Sequence, residues 1–113
     1  MLKRNQRISK KNDFRDIFKF GKNFSNNRLV LKVLPNGLDF CRFAAVISLK
    51  ISKRAVDRNR LRRQIMEIIR ADEKNIKQGF DLVFIGKTDL MKSNFGQIEQ
   101  SLVDLIKKSG LYV

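Results

Sequence analysis

The run Phe80-Asp81-Leu82-Val83-Phe84-Ile85-Gly86 is almost continuously apolar, broken by a single carboxylate. A run of this length, entered through Lys77-Gln78-Gly79, reads as a central strand buried on both faces rather than as one side of a surface element. A strand with two apolar faces needs cover on both sides. The chain is therefore expected to build a sheet around residues 80–86 and to pack helices against it, as an α+β domain.

The flanking segments supply those helices. Phe14, Ile17 and Phe18 share one face of a short helix that Asn12 is expected to cap and Gly21 to stop. Leu29, Leu31 and Val33 alternate with Val30, Lys32 and Leu34 up to Pro35-Asn36-Gly37, which predicts a hairpin whose return strand spans about Phe40 to Leu49. Small Ala44 and Ala45 leave room there for a closely packed helix. Ser52 is a candidate N-cap for a long helix reaching about Arg70, and Ser93 or Asn94 for a last helix that ends at Gly110. In that last helix Ile98, Leu102, Leu105 and Ile106 form an i, i+4, i+7, i+8 stripe. No repeat or linker divides the 113 residues, so one domain over 1–113 is expected, in the order helix, two or three strands, helix, strand, helix. Residues 1–11, basic and nearly without apolar anchors, are expected to form a loosely held arm.

Charge narrows the function. Residues 1–63 hold 18 Lys and Arg against 4 acids, whereas residues 64–113 hold 7 against 7, so the whole formal excess of +14 lies in the first half. A merely solvated surface would intersperse the signs. One-sided clustering is the mark of a face kept for a polyanion, here nucleic acid. Histidine is absent and Cys41 is the single cysteine, which removes the commonest general base, any Cys-His or Ser-His arrangement and any internal disulfide. Cys41, between Phe40 and Phe43, reads as a buried strand thiol. Asp13, Asp16, Asp39, Asp57 and Glu67 are scattered without a paired-carboxylate spacing, so neither a catalytic residue nor a metal ligand is expected. No apolar run reaches the ~18 residues of a spanning helix, and the polar start lacks the apolar stretch of a secretion signal. A cytoplasmic location, with no membrane, is the expectation.

The densest charge lies in Lys50, Lys53, Arg54, Arg58, Arg60, Arg62 and Arg63, with Asp57 as the only acid among them. Like charges at i, i+4 repel, so a partner must compensate. Arg58, Arg62, Ile65 and Ile69 fall on one helical stripe. The face that is apolar in the second half is thus cationic in the first, and the first turns should project beyond the core. A helix N-terminus with arginine forks suits phosphate, and Asn59 adds a hydrogen-bonding group.

Ala55-Val56-Asp57-Arg58-Asn59-Arg60-Leu61-Arg62-Arg63 resembles the arginine-rich RNR helix of the bacterial ribonuclease P protein component. Asp13-Phe14, Phe18-Lys19, Gly21, the strand near Leu31, the strand Asp81 to Ile85 and the end from Leu105 to Leu111 follow in that family's order, so the resemblance covers nearly the whole chain. It implies a two-layer α/β sandwich, ribosomal protein S5 domain 2-like, with a mixed four-stranded sheet and a left-handed crossover through the arginine-rich helix. It implies an endoribonuclease whose catalyst is a large RNA and which removes the 5′ leader of precursor tRNA. Magnesium would be held mainly by that RNA, and no obligate protein partner is inferred. By position, Lys53, Arg54, Arg58, Asn59, Arg60, Arg62 and Arg63 would contact the RNA, while Phe14, Phe18, Lys32 and Lys50 would bind the leader. Core packing is the other reading of the two phenylalanines. The chain departs from the family pattern at Leu49 and Ile51 in place of Ser-Lys-Lys, at Lys53 in place of glycine, and at Met66 in place of a base. A basic ribosomal protein suits the same size and charge, and an autonomous nuclease would cleave without RNA.

Overall fold

A computed structural model describes residues 4–113. Three helices, α1 (Lys11–Phe20), α2 (Ala55–Asp72) and α3 (Phe95–Ser109), pack on a mixed sheet of β1 (Lys22–Ser25), β2 (Leu29–Pro35), β3 (Arg42–Val46) and β4 (Phe80–Gly86). The strand order is β1-β2-β4-β3. β1 and β4 run antiparallel to β2, and β3 runs parallel to β4.

The twice-buried run is the centre of this sheet. β4 pairs with β2 from Phe80↔Pro35 to Gly86↔Leu29 and with β3 from Asp81↔Arg42 to Ile85↔Val46. Alternation then sends its side chains to opposite faces. Leu82 and Phe84 join Leu29, Leu31, Val33 and Phe43 beneath α2 and α3, which contribute Leu61, Ile65, Ile68 and Ile69, and Ile98, Leu102, Leu105 and Ile106. Val83 faces the other way and joins Ile8, Ile17 and Ala44, with Phe14, Leu34, Val46 and Ile85 packed around them. The sheet and the α2–α3 layer thus make a two-layer sandwich, and α1 covers part of the opposite face.

The predicted hairpin does not form. Pro35-Asn36-Gly37 turns the chain, with Gly37 at φ +71°, but β3 passes to the far edge of β4. Asn36 explains the diversion. Its backbone N–H donates to Gly79 O at 3.0 Å and its amide donates to Asp81 Oδ1 at 2.9 Å, which extends the β2–β4 ladder instead of starting a β2–β3 one. β3 ends at Val46, short of Leu49, and reaches β4 through α2. β1, a short polar edge strand, had no pattern by which to be expected.

Two expected caps are also displaced. α1 starts from Lys10 and α2 from Arg54, neither with a side-chain cap bond; Asn12 lies inside α1 and Ser52 two residues before the α2 cap. Gly21 does end α1. Its N–H donates to Ile17 O at 2.9 Å, and a Cβ there would lie 2.4 Å from that same oxygen. At α3 the reading holds in full: Asn94 and Gln97 form a capping box and Gly110 adopts the left-handed conformation at φ 74°.

The described part of the segment expected as an arm over residues 1–11 contacts the sheet. Arg4–Gln6 form a 3-10 turn and Arg7 bridges to Phe43 in parallel. Ile8 donates to Phe43 O at 3.0 Å and is buried. Residues 1–3 lie outside the described residues.

Candidate nucleic-acid interface

The arginine end of α2 stands clear of the core. No side chain from Ala55 to Arg60 is buried, and the first that is buried is Leu61. Ser52 organises the entry: its hydroxyl accepts from Arg54 N–H at 3.1 Å and donates to Asp57 Oδ2 at 3.0 Å. Its carbonyl accepts from Arg58 Nη1 at 2.9 Å. Asp57, the only acid in the cluster, is thereby turned back toward the loop, with Arg54 Nε at 3.8 Å. Lys53, Arg54, Asn59, Arg60 and Arg63 are exposed, and Arg58 and Arg62 are half-buried beside the core stripe. Arg62 donates to the Asn59 side-chain oxygen, and Arg60 leans on Met91 Sδ at 3.9 Å. These seven side chains therefore gather at the projecting start of one helix, five of them exposed to solvent.

The four expected leader residues divide. Phe18, at 45% exposure, stands out from α1, and Lys32 Nζ on β2 lies 5.4 Å from its ring centroid. Asn23 on β1 accepts from the same ammonium at 2.6 Å. Phe14 is half-buried against the Ile8, Ile17, Ala44 and Val83 cluster, so the core reading applies to it in part and not to Phe18. Lys50 is exposed in the loop before α2; among the described residues no hydrogen bond or ring contact joins it to the other three.

Phe14 also lines a cleft of about 710 Å³ beside β3, together with Arg7, Arg62, Arg63, Met66, Glu67 and Arg70. Arg7 and Arg70, which line this cleft, were not among the candidates read from the sequence. Arg70 repeats Arg63 at i+7, a spacing that could have revealed it, whereas Arg7 is brought there only by the N-terminal bridge to Phe43. Met66 adds an apolar side chain to the lining, beside Ile8, Phe43, Ala44 and Ala45.

A partly buried ion-pair network centred on Arg42 ties α1 to the sheet. Arg42 donates from Nε and Nη2 to the two Asp81 oxygens at 2.8 and 2.6 Å, and from Nη1 to Asp13 at 3.3 Å. Hydrogen bonding to Asp81 holds the Arg42 guanidinium still more firmly protonated than usual. Cys41 is buried, just before β3 rather than within it, and its thiol donates to Lys77 O at 2.9 Å. Burial pushes its pKa up, the opposite of what a nucleophilic thiolate needs. Among the described residues no three His, Cys, Asp or Glu side chains converge to hold a metal, and no helix is long and apolar enough to cross a membrane.

Comparison with known proteins agrees over nearly the full length. A family model described as Ribonuclease P matches residues 2–110. The ribonuclease P protein component of Clostridium kluyveri is 42% identical over 108 residues, covering 94% of this chain and 96% of the relative. That of Clostridium botulinum strain Loch Maree is 38% identical over 107 residues with the same coverage. The Staphylococcus aureus RNase P protein superposes with a TM-score of 0.89 at 28% identity, covering 96% of this chain and 98% of the other. The Thermotoga maritima RNase P protein gives 0.83 at 33% identity, covering 90% and 96%. The chain belongs to the ribonuclease P protein family, as a protein component of the ribonucleoprotein endonuclease that processes tRNA and a partner of the ribonuclease P RNA.

Proposed function

We propose that this chain binds the catalytic RNA through the arginine end of α2 and holds the 5′ leader of precursor tRNA along α1, promoting magnesium-dependent removal of the leader. The observation that carries the reading is the cationic end of α2 standing clear of the core, with Asp57 turned back into its own loop. Such repulsion only weakens a purely structural helix, whereas bound RNA phosphates would neutralise it and release counterions. The leader half rests on Phe18, an exposed ring with an ammonium over it, which suits stacking of an unpaired base with its phosphate nearby.

Magnesium belongs to the RNA subunit in this reading, where it supplies an activated water and neutralises developing charge. The chain contributes no reacting group; it positions two RNAs. The same reading places it in the cytoplasm.

Reconstitution tests this. Mixed with a bacterial ribonuclease P RNA, the purified chain should lower the magnesium concentration needed to cleave precursor tRNA at the mature 5′ end. Phe18→Ala should weaken affinity for leader-bearing precursor more than for mature tRNA. Cleavage that is indifferent to the protein would refute the assignment of partner and reaction together.

A further inference from the structure

The surface of α1 carries more than the aromatic pair. Advancing about 100° per residue, Phe14, Phe18, Lys11, Arg15 and Lys19 follow one another round the helix within about 140°. Lys11, Arg15 and Lys19 are all exposed, and four-residue steps set them about 6 Å apart along the axis. Such a spacing suits successive phosphates of an extended strand. The row runs directly beside the edge from which Phe18 projects.

The acids of α1 do not neutralise this row. Asp13 is turned inward to Arg42 at 3.3 Å. Asp16 meets only Arg15, at 3.7 Å, through side chains that are 68% and 48% exposed, an ion pair of negligible strength in water. Lys19 lies 5.3 Å from the Phe20 ring centroid. Like charges at i, i+4 disfavour the isolated helix. α1 also lacks a side-chain cap, so its sequence does not favour its own stability at these positions.

We infer that Lys11, Arg15 and Lys19 form a phosphate track on which α1 carries the sugar-phosphate backbone of the unpaired 5′ leader while its bases turn toward Phe18. This rests on the leader reading proposed above and deepens it. Stacking rings beside a line of cations is the general solution for single strands, and here both lie on one helix. The partner is unpaired RNA held by its backbone, so the track reads no sequence and adds affinity in proportion to the phosphates it meets.

The test uses the holoenzyme reconstituted with a bacterial ribonuclease P RNA, and compares precursor tRNA bearing a leader of several nucleotides with mature tRNA over a range of salt. The triple variant Lys11→Gln, Arg15→Gln, Lys19→Gln keeps good helix formers at exposed positions and removes like-charge pairs, so its thermal unfolding should lie no lower than that of the unsubstituted chain. Its affinity for the precursor should fall about tenfold at low salt, and its log-log salt slope by about two, from three single-strand contacts. Mature tRNA should be bound as before. The charge-retaining variant Lys11→Arg, Arg15→Lys, Lys19→Arg should restore precursor binding. Equal losses for the two RNAs, or an unchanged slope, overturn the track and leave a solvated face. If the unsubstituted protein itself fails to distinguish precursor from mature tRNA, the leader reading falls and the track with it.

Discussion

α3 and the first half of α2 belong to the same helical layer, yet their side chains are disposed in opposite ways. α3 opens with a reciprocal capping box, closes on a left-handed glycine and buries Ile98, Leu102, Leu105 and Ile106. Its outer face mixes signs, with Lys108 Nζ 3.1 Å from Asp104. The start of α2 has no side-chain cap, buries nothing before Leu61 and gathers cations around one acid. Helical stability comes mostly from tertiary packing of an apolar face, so α2 depends on its second half to hold the first half out. α3 satisfies its own caps and neighbours and so serves the fold, whereas the start of α2 leaves its charge uncompensated within the chain, which is the basis of the RNA-binding reading proposed above.

Substitutions in the two regions should part stability from binding. Leu102→Ala removes a side chain from the main core and should cost about 2–5 kcal/mol of stability, read by denaturant unfolding, with the salt slope of RNA binding in the surviving folded protein unchanged. Replacing Arg60 and Arg63 by Ala should do the reverse. The slope should fall by about 1.4 to 1.8 for two lost phosphate contacts, with unfolding nearly unaffected. A slope change from Leu102→Ala, or a large destabilisation from the arginine pair, would break the division.

The smallest expected effect lies where α2 and α3 both serve the fold. Tyr112, just after α3, donates its hydroxyl to Asp72 at the end of α2. Burial first, and the Asp72 carboxylate second, push the tyrosine pKa up. A raised folded value means that folding favours the neutral phenol. Its contribution is complete below the ordinary value of about 10 and is lost as pH rises through the folded value. Unfolding followed upward from neutral pH should show that loss in the unsubstituted chain and a flatter profile in Tyr112→Phe. Identical profiles would mean that the contact adds nothing.

The departures from the sequence reading share a cause. The central strand, α3 with both ends, and the glycine stop of α1 are legible because each depends on residues within a turn or two of one another. The strand partners are not. Pro35-Asn36-Gly37 is a good hairpin signal, and it lost because β4, apolar on both faces, offers two edges that β2 and β3 occupy separately, with Asn36 bonded to Asp81 and Gly79. The four residues of β1 carry no alternation to detect. Ser52 was recognised as a helix-entry residue, but its hydroxyl went to Arg54 and Asp57 from two positions further out. In the candidate site the arginine string was legible as a string, whereas Phe14 and Phe18 could not be told apart.

By itself, the sequence determined that charge would collect in the first half of the chain and at the start of one helix, that a twice-buried strand would lie at the centre, and that the last helix would be capped and amphipathic. Those properties are written in composition and in local periodicity. Only the tertiary structure decided which strands flank β4, that Ile8 and Arg7 are drawn onto β3, that Phe18 projects beside Lys32 while Phe14 is half-buried, and that Asp13 turns inward and leaves the outer face of α1 cationic. Each of these is settled by competition among segments distant in sequence for the same edge, face or counter-charge, and no local pattern records the winner.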